Sequence, residues 1–246
     1  MISEVIADGL FEGFTGQLLA GTVMTVKVTL AATFVGICLG LLGASARMSK
    51  FKPAKYAGDA YVGFIRGIPE LLIIFLIYFG STRLLMTIAS WFGYNEYIEL
   101  SPFIAGVIAL GLTFGGYATE VFRGAFLAVH PGQKEAASAL GMSKLRIFFR
   151  IQLPQVWRIA LPGLGNLILV LMKDTALISV IGLEELTRKT QMVVTATREP
   201  FTWYFTAAVM YLSLTVVTTL ILRYFENRSR RHERPVARTM KAAGGA

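Results

Sequence analysis

Hydrophobic residues along this 246-residue chain fall into five long blocks rather than into short alternating or amphipathic segments. Each block is at least as long as the roughly 20 helical residues that cross the hydrocarbon layer of a bilayer. We therefore expect an all-α integral membrane protein with five transmembrane helices, at about residues 18–46, 61–85, 101–129, 161–182 and 200–223.

The less hydrophobic segments at the two ends divide the chain into an N-terminal segment, one transmembrane domain and a C-terminal tail. Residues 1–17 contain three acidic residues but no lysine or arginine, which is the reverse of the basic start of a cleavable signal peptide. We therefore expect the first hydrophobic block to be retained as a helix. Residues 18–225 form one transmembrane domain with a long loop at about 130–158, and residues 226–246 form a basic tail.

Lysine and arginine are shared unequally between the two sets of segments that flank the blocks. Segments 47–55, 123–158 and 223–246 together hold 17 of these residues, whereas the segments at the opposite ends of the predicted spans hold only 4. Because basic loops remain in the cytoplasm, we predict a periplasmic N-terminus and a cytoplasmic C-terminus. Membrane topology then accounts for the net charge of +9, and nucleic-acid binding is not required.

Composition excludes several other classes of protein. Only 16% of residues are charged, against about a quarter in soluble domains. The single cysteine, Cys38, and the two distant histidines, His130 and His232, predict neither a disulfide framework nor a zinc site. The sequence contains no metalloprotease, serine-hydrolase or phosphate-binding-loop motif, so we expect no enzymatic activity and no bound cofactor or metal.

The first predicted span carries small and hydroxyl-bearing residues at alternating steps of three and four. Such a stripe stays on one helix face and allows close helix packing, which lipid does not otherwise drive. We interpret it as a packing face, with a lining of a translocation path as the alternative. The residues are Thr22, Thr25, Thr29, Thr33, Gly36, Gly40 and Gly43.

The loop between the third and fourth spans has the local pattern of two short helices. Residues 134–140 are strong helix formers, and Gly141 can adopt the left-handed conformation that ends a helix. Residues 142–150 resume a basic amphipathic pattern, which we expect Pro154 to stop. From these residues alone, a knob at the membrane surface and an amphipathic helix lying on the bilayer both remain open.

The same loop resembles the EAA loop of ABC importer permeases, and every fixed position is matched. The pattern is E-A-A, three residues, G, nine residues and I-x-L-P, formed by Glu135, Ala136, Ala137, Gly141, Ile151, Leu153 and Pro154. Further stretches, at residues 64–72, 117–133, 161–166 and 173–184, resemble the polar amino acid branch of these permeases. Within that branch, the Q-type subunits of histidine, lysine–arginine–ornithine, arginine and opine importers are the most similar type.

This resemblance, which covers about residues 15–225, implies a type I ABC importer permease in the bacterial inner membrane. The seven EAA residues would then couple the chain to an ATPase. The implied partners are two ATP-binding cassette subunits that bind ATP and magnesium, a second permease chain, identical or paralogous, and a periplasmic or lipid-anchored binding protein. The alternative is a secondary transporter or channel, although such proteins usually show internal repeats and more spans.

Placing a charged side chain within a membrane span costs free energy, so each such residue is expected to have a charged partner or a function. Arg66 with Glu70, and Glu120 with Arg123, are spaced to form ion pairs on a helix. A carboxylate in a cavity of low dielectric also attracts a cationic amino acid strongly. We therefore predict a substrate path for polar, cationic amino acids, with structural pairing as the alternative. The candidate residues are Glu70, Asp174, Thr175, Ser179, Arg66 and Glu120.

Overall fold

The computed structural model describes residues 13–93 and 100–230, and these residues contain helices and no strand. Most of the predicted N-terminal segment and most of the basic tail lie outside the described residues. In chain order the helices are α1 Thr15–Arg47, α2 Lys52–Gly67, α3 Glu70–Trp91, α4 Pro102–Ala128, α5 Pro131–Ala139, α6 Lys144–Ile147, α7 Leu153–Asp174, α8 Leu186–Thr197 and α9 Pro200–Arg230. A π-helical turn, Phe148–Gln152, joins α6 to α7, and a 3₁₀ segment, Thr175–Ile181, extends α7.

Within the described ranges, five helical segments are long and apolar enough to cross a membrane, as the sequence predicted. They are α1, α3, α4, the continuous stretch Lys144–Ile181 that contains α6 and α7, and α9. The prediction of an all-helical protein with five candidate spans is confirmed.

The centre of the bundle is the contact between α1 and α4. Gly36, Gly40 and Gly43 on α1 lie against Phe114, Ala118 and Thr119 on α4. A Cβ atom added at Gly40 would lie 2.7 Å from the Cβ atom of Ala118. The small-residue stripe of α1 is therefore a packing face, as interpreted from the sequence, since a larger side chain would force the two helices apart.

Helices α3 and α9 lie at the periphery of the chain. Both carry large apolar side chains that are exposed, among them Phe79, which is 61% exposed, and Leu212, which is 63% exposed. In a bilayer this exposure carries no hydrophobic penalty, because lipid tails are as apolar as these side chains.

The second predicted span, 61–85, differs from the structure because it falls on two helices. Helix α2 ends at Gly67, and Ile68 adopts an extended conformation with φ −119° and ψ 138°. Pro69 explains this break, since the residue before a proline is disfavoured in the helical region. Arg66 and Glu70 therefore do not share a helix face, contrary to the sequence interpretation.

The helix that contains the fourth predicted span, 161–182, begins well before residue 161. The helical path is continuous from Lys144 to Ile181, so the expectation that Pro154 stops the helix was wrong. Pro154 lies in the first turn of α7, directly after the π-helical turn Phe148–Gln152. A local π-helical adjustment lets a helical path continue past a proline, which lacks the backbone N–H.

Candidate functional site

The loop between α4 and α7 forms a compact knob, which we define as residues 131–152. Gly141 ends α5 with a positive φ of 75°, as the sequence predicted. Its N–H donates to the Ser138 carbonyl at 3.0 Å, and the Met142 N–H donates to the Ala137 carbonyl at 3.1 Å. These bonds satisfy the last carbonyls of α5 and turn the chain sharply into α6.

The knob has a small interior and exposes large apolar side chains among its polar and basic ones. Ala137 and Ile147 are buried, whereas Leu140 is 82% exposed and Leu145 is 70% exposed. Glu135 is exposed on α5. Large apolar side chains beside a carboxylate on a protruding surface are typical of a protein interface.

Aromatic and amide contacts fix the base of the knob to the bundle. The rings of Phe148 and Phe126 stack with centroids 6.2 Å apart, and the Gln155 side-chain amide donates to that of Gln133. These contacts connect the knob directly to α4 and α7.

The seven predicted coupling residues occupy different environments on this surface. Of those within the knob, Glu135, Ala136 and Gly141 are exposed, Ala137 is buried and Ile151 is half-buried. The other two lie at the start of α7, where Leu153 is half-buried and Pro154 is exposed.

An ion network lies at the end of the bundle that carries the knob. Arg47, the last residue of α1, contacts Asp59 of α2 through its Nε atom at 2.6 Å, and it also forms an ion pair with Glu120 of α4. Glu120 accepts in addition from Arg123 at 2.9 Å, so the predicted Glu120–Arg123 pair is confirmed. Both carboxylate oxygens of Glu120 are engaged by guanidinium groups, which links three helices.

Glu70 and Asp174 meet in the interior although they are distant in sequence. Their carboxyl groups lie within hydrogen-bonding reach of each other and line one cavity of about 20 Å³. This is roughly the room that one water molecule needs. The cavity is otherwise lined by Leu110, Thr113, Phe114, Tyr117, Leu167, Val170 and Leu171.

The other predicted path residues do not line this cavity. Thr175 and Ser179 are buried, and the Thr175 hydroxyl donates to the Met172 carbonyl at 2.8 Å. Arg66 is exposed at the end of α2 and forms no ion pair with any described residue. The hydroxyl groups at the cavity come instead from Thr113 and Tyr117, which the sequence analysis did not select.

At the opposite end of the bundle, a buried carboxylate caps α8. Glu185 is fully buried and accepts from the backbone N–H groups of Thr187 and Arg188 at 2.9 and 2.8 Å. It also accepts from the Tyr211 hydroxyl of α9 at 2.8 Å. Burial raises the pKa of the Glu185 carboxyl, and these hydrogen bonds offset part of that rise.

The capped helix is also held against α1. The Leu186 N–H donates to the Thr25 hydroxyl at 3.3 Å, and a Cβ atom at Gly21 would lie 2.9 Å from the Leu186 Cα atom. Helix α8 thus joins α1 and α9 at this end, a role that the sequence analysis missed.

Comparison with known proteins identifies the family. The family model described as "Binding-protein-dependent transport system inner membrane component" matches residues 36–231. The chain belongs to this family. It is thus a permease subunit rather than an enzyme, and no group of residues that could hold a metal ion occurs in the described ranges.

The permease resembles subunits named for arginine and opine transport. It is 45% identical over 223 residues to the arginine ABC transporter permease protein ArtQ of Escherichia coli K12, covering 86% of this chain and 94% of that protein. It is 43% identical over 220 residues to the octopine transport system permease protein OccQ of Rhizobium radiobacter, covering 89% and 93%. The predicted resemblance to Q-type subunits of the polar amino acid and opine branch is confirmed.

A solved structure supports the fold. The permease matches a chain in the crystal structure of an amino acid ABC transporter with histidines, with a TM-score of 0.74 and 35% sequence identity. The match covers 88% of this chain and 95% of that chain.

Proposed function

We propose that this permease forms part of the translocation path of an ATP-driven importer for polar, cationic amino acids. Family membership carries the proposal, and the names of its arginine and octopine relatives support the substrate class. A binding protein delivers the amino acid, and a second permease chain, identical or paralogous, completes the path.

The knob is the contact through which the ATPase acts. Its exposed Leu140 and Leu145 offer an apolar surface to a groove in a partner, and Glu135 adds a charge that orients the contact. ATP and magnesium belong to that partner. Nucleotide binding there biases the permease between outward-open and inward-open states, because the closed ATPase pair fits only one of them.

The knob faces the cytoplasm and residue 13 lies toward the periplasm. The excess of lysine and arginine in the segments around the knob supports this orientation. A bacterial inner membrane is the setting that matches the family description.

Glu70 and Asp174 attract the positive side chain of the substrate. Two carboxyl groups in contact concentrate negative potential, and a cation between them removes their mutual repulsion. Since the cavity has room for only about one water molecule, an amino acid enters only when α3, α4 and α7 separate. The structure therefore corresponds to a state in which the path is closed at the cavity of Glu70 and Asp174.

Transport by the complete assembly tests the proposal. Proteoliposomes that contain the permeases, the ATPase and the binding protein should accumulate arginine with ATP, and an ionophore should not prevent it. Asp174→Asn should lower uptake about tenfold at low arginine concentration, because a charge-assisted contact is lost. Glu199→Gln, which removes an exposed carboxylate, is the matched control.

Two results would overturn parts of this account. Uptake that follows an ion gradient without ATP would contradict an ABC importer. Unchanged arginine uptake by Asp174→Asn would leave the importer intact but remove the acid pair from the substrate path.

A further inference from the structure

A groove opens between α7 and α9 near the end of the bundle that carries the knob. It has a volume of about 460 Å³ and is lined by Trp157, Leu161, Phe225, Arg228 and Ser229. We call it the α7–α9 groove. None of its residues belongs to the knob or to the cavity that contains Glu70 and Asp174.

One part of the groove is apolar and firmly supported. Trp157 and Leu161 lie one turn apart on α7, and Phe225 faces them from α9. The Trp157 ring stacks on the buried Phe122 ring with centroids 6.5 Å apart, yet 42% of Trp157 remains exposed. This surface is preformed and suits a hydrocarbon chain.

The other part of the groove contains hydrogen-bond donors and no acid. Toward the described residues, Arg228 makes one long contact, 3.4 Å, from Nη1 to the Tyr224 hydroxyl, which leaves most of its five N–H groups available there. The Ser229 hydroxyl and the Trp157 indole N–H form no hydrogen bond with another described residue. A ligand with an anionic, acceptor-rich group matches this set.

The neighbouring groove provides an internal contrast. It lies between the same two helices, but Glu226 lines it together with Arg223. A carboxylate beside the guanidinium group opposes an anion there. Of these two grooves, the α7–α9 groove is the one whose arginine has no carboxylate in the same lining.

We propose that the α7–α9 groove binds an anionic phospholipid. The headgroup phosphate accepts from Arg228 and Ser229, and an acyl chain lies along Leu161, Phe225 and the Trp157 ring. Basic pockets between membrane helices recognise anionic headgroups in this way, and tryptophan is favoured at headgroup level. The inference concerns a lipid site and is independent of the transported substrate.

Native mass spectrometry of the complete, detergent-solubilised assembly tests the site. Wild-type assembly titrated with phosphatidylglycerol should retain more lipid than the same assembly titrated with phosphatidylcholine. Arg228→Gln should weaken the binding of phosphatidylglycerol about fivefold, the change expected for one arginine near an anionic headgroup. Arg83→Gln removes an exposed arginine on α3, outside the groove, and should leave binding unchanged.

A second variant separates phospholipid from a soluble anion. Leu161→Asn makes the apolar wall of the groove more polar and leaves Arg228 in place, so it should also weaken phosphatidylglycerol binding. Inorganic phosphate should not displace the lipid, because it cannot use that wall. Equal retention of the two lipids by wild type, or unchanged affinity in Arg228→Gln, would overturn the proposal.

Discussion

At the scale of single residues, the surroundings of each carboxylate decide what it does. Glu120 is neutralised by two arginines, Glu185 caps a helix without a cation, and Glu70 lies beside another acid. The spacing of Glu120 and Arg123 was sufficient to predict their pair. The contact between Glu70 and Asp174 was not predictable, because it depends on how α3 packs against α7.

Glu185 gives the stability of the protein a specific pH dependence. Its pKa is higher in the folded state than its ordinary 4.5, so folding favours the protonated form. The contribution of this group is complete below the ordinary pKa and declines as pH rises through the raised value. The midpoint of thermal unfolding should therefore fall as pH rises above the ordinary pKa of this carboxyl, and Glu185→Gln should remove this part of the fall.

The neighbouring Glu184 is the control for that measurement. It is exposed, and its ion pair with Lys189 lowers its pKa, so its contribution has the opposite sign. Glu184→Gln should leave the decline caused by Glu185 in place. An identical pH profile for wild type and Glu185→Gln would contradict the proposed coupling of the cap to pH.

At the scale of elements, hydropathy was sufficient to locate the spans but not their interruptions. Averaged hydrophobicity is insensitive to a single break, so the extended Ile68 before Pro69 was missed. The same approach placed the start of the fourth long helix too late, because the amphipathic residues of α6 and the π-helical turn are less apolar than those of α7. Helix α8 was not predicted, because it is too polar to form a hydrophobic block. It is positioned by a contact between Leu186 and Thr25, which are 161 residues apart in the sequence.

Gly141, the glycine at which the knob turns from α5 into α6, can be tested with two substitutions of similar size, valine and asparagine. Valine is strongly disfavoured at a φ of 75°, whereas asparagine tolerates it. Gly141→Val should lower ATP-driven uptake about tenfold or more while membrane insertion remains normal, because α5 and α6 lose their relative orientation. Gly141→Asn should transport nearly as wild type.

The comparison of these two variants isolates backbone geometry from side-chain bulk. A Cβ atom at residue 141 meets no neighbour within 4 Å, so neither variant introduces a clash inside the chain. Equal transport by both variants, at the wild-type level, would mean that the hinge geometry has no part in coupling.

At the scale of the whole molecule, the two ends of the bundle carry different structural features. One end holds the knob and, beside it, the ion network of Arg47, Asp59 and Glu120, which links α1, α2 and α4. The other end holds α8 with its buried cap. The acid pair lies between them, at the start of α3 and the end of α7. Under the proposed function, α4 and α7 connect the knob to this pair.

The contact between the knob and an ATPase is the central claim, and cross-linking measures it directly. In a background with Cys38→Ser, Leu140→Cys on the knob should form a cross-link to the ATPase subunit of the complete assembly, with a yield that changes when ATP is added. Trp91→Cys, also strongly exposed but at the far end of α3, should form none. Cross-linking of the ATPase from Trp91→Cys, or none from Leu140→Cys, would contradict the account.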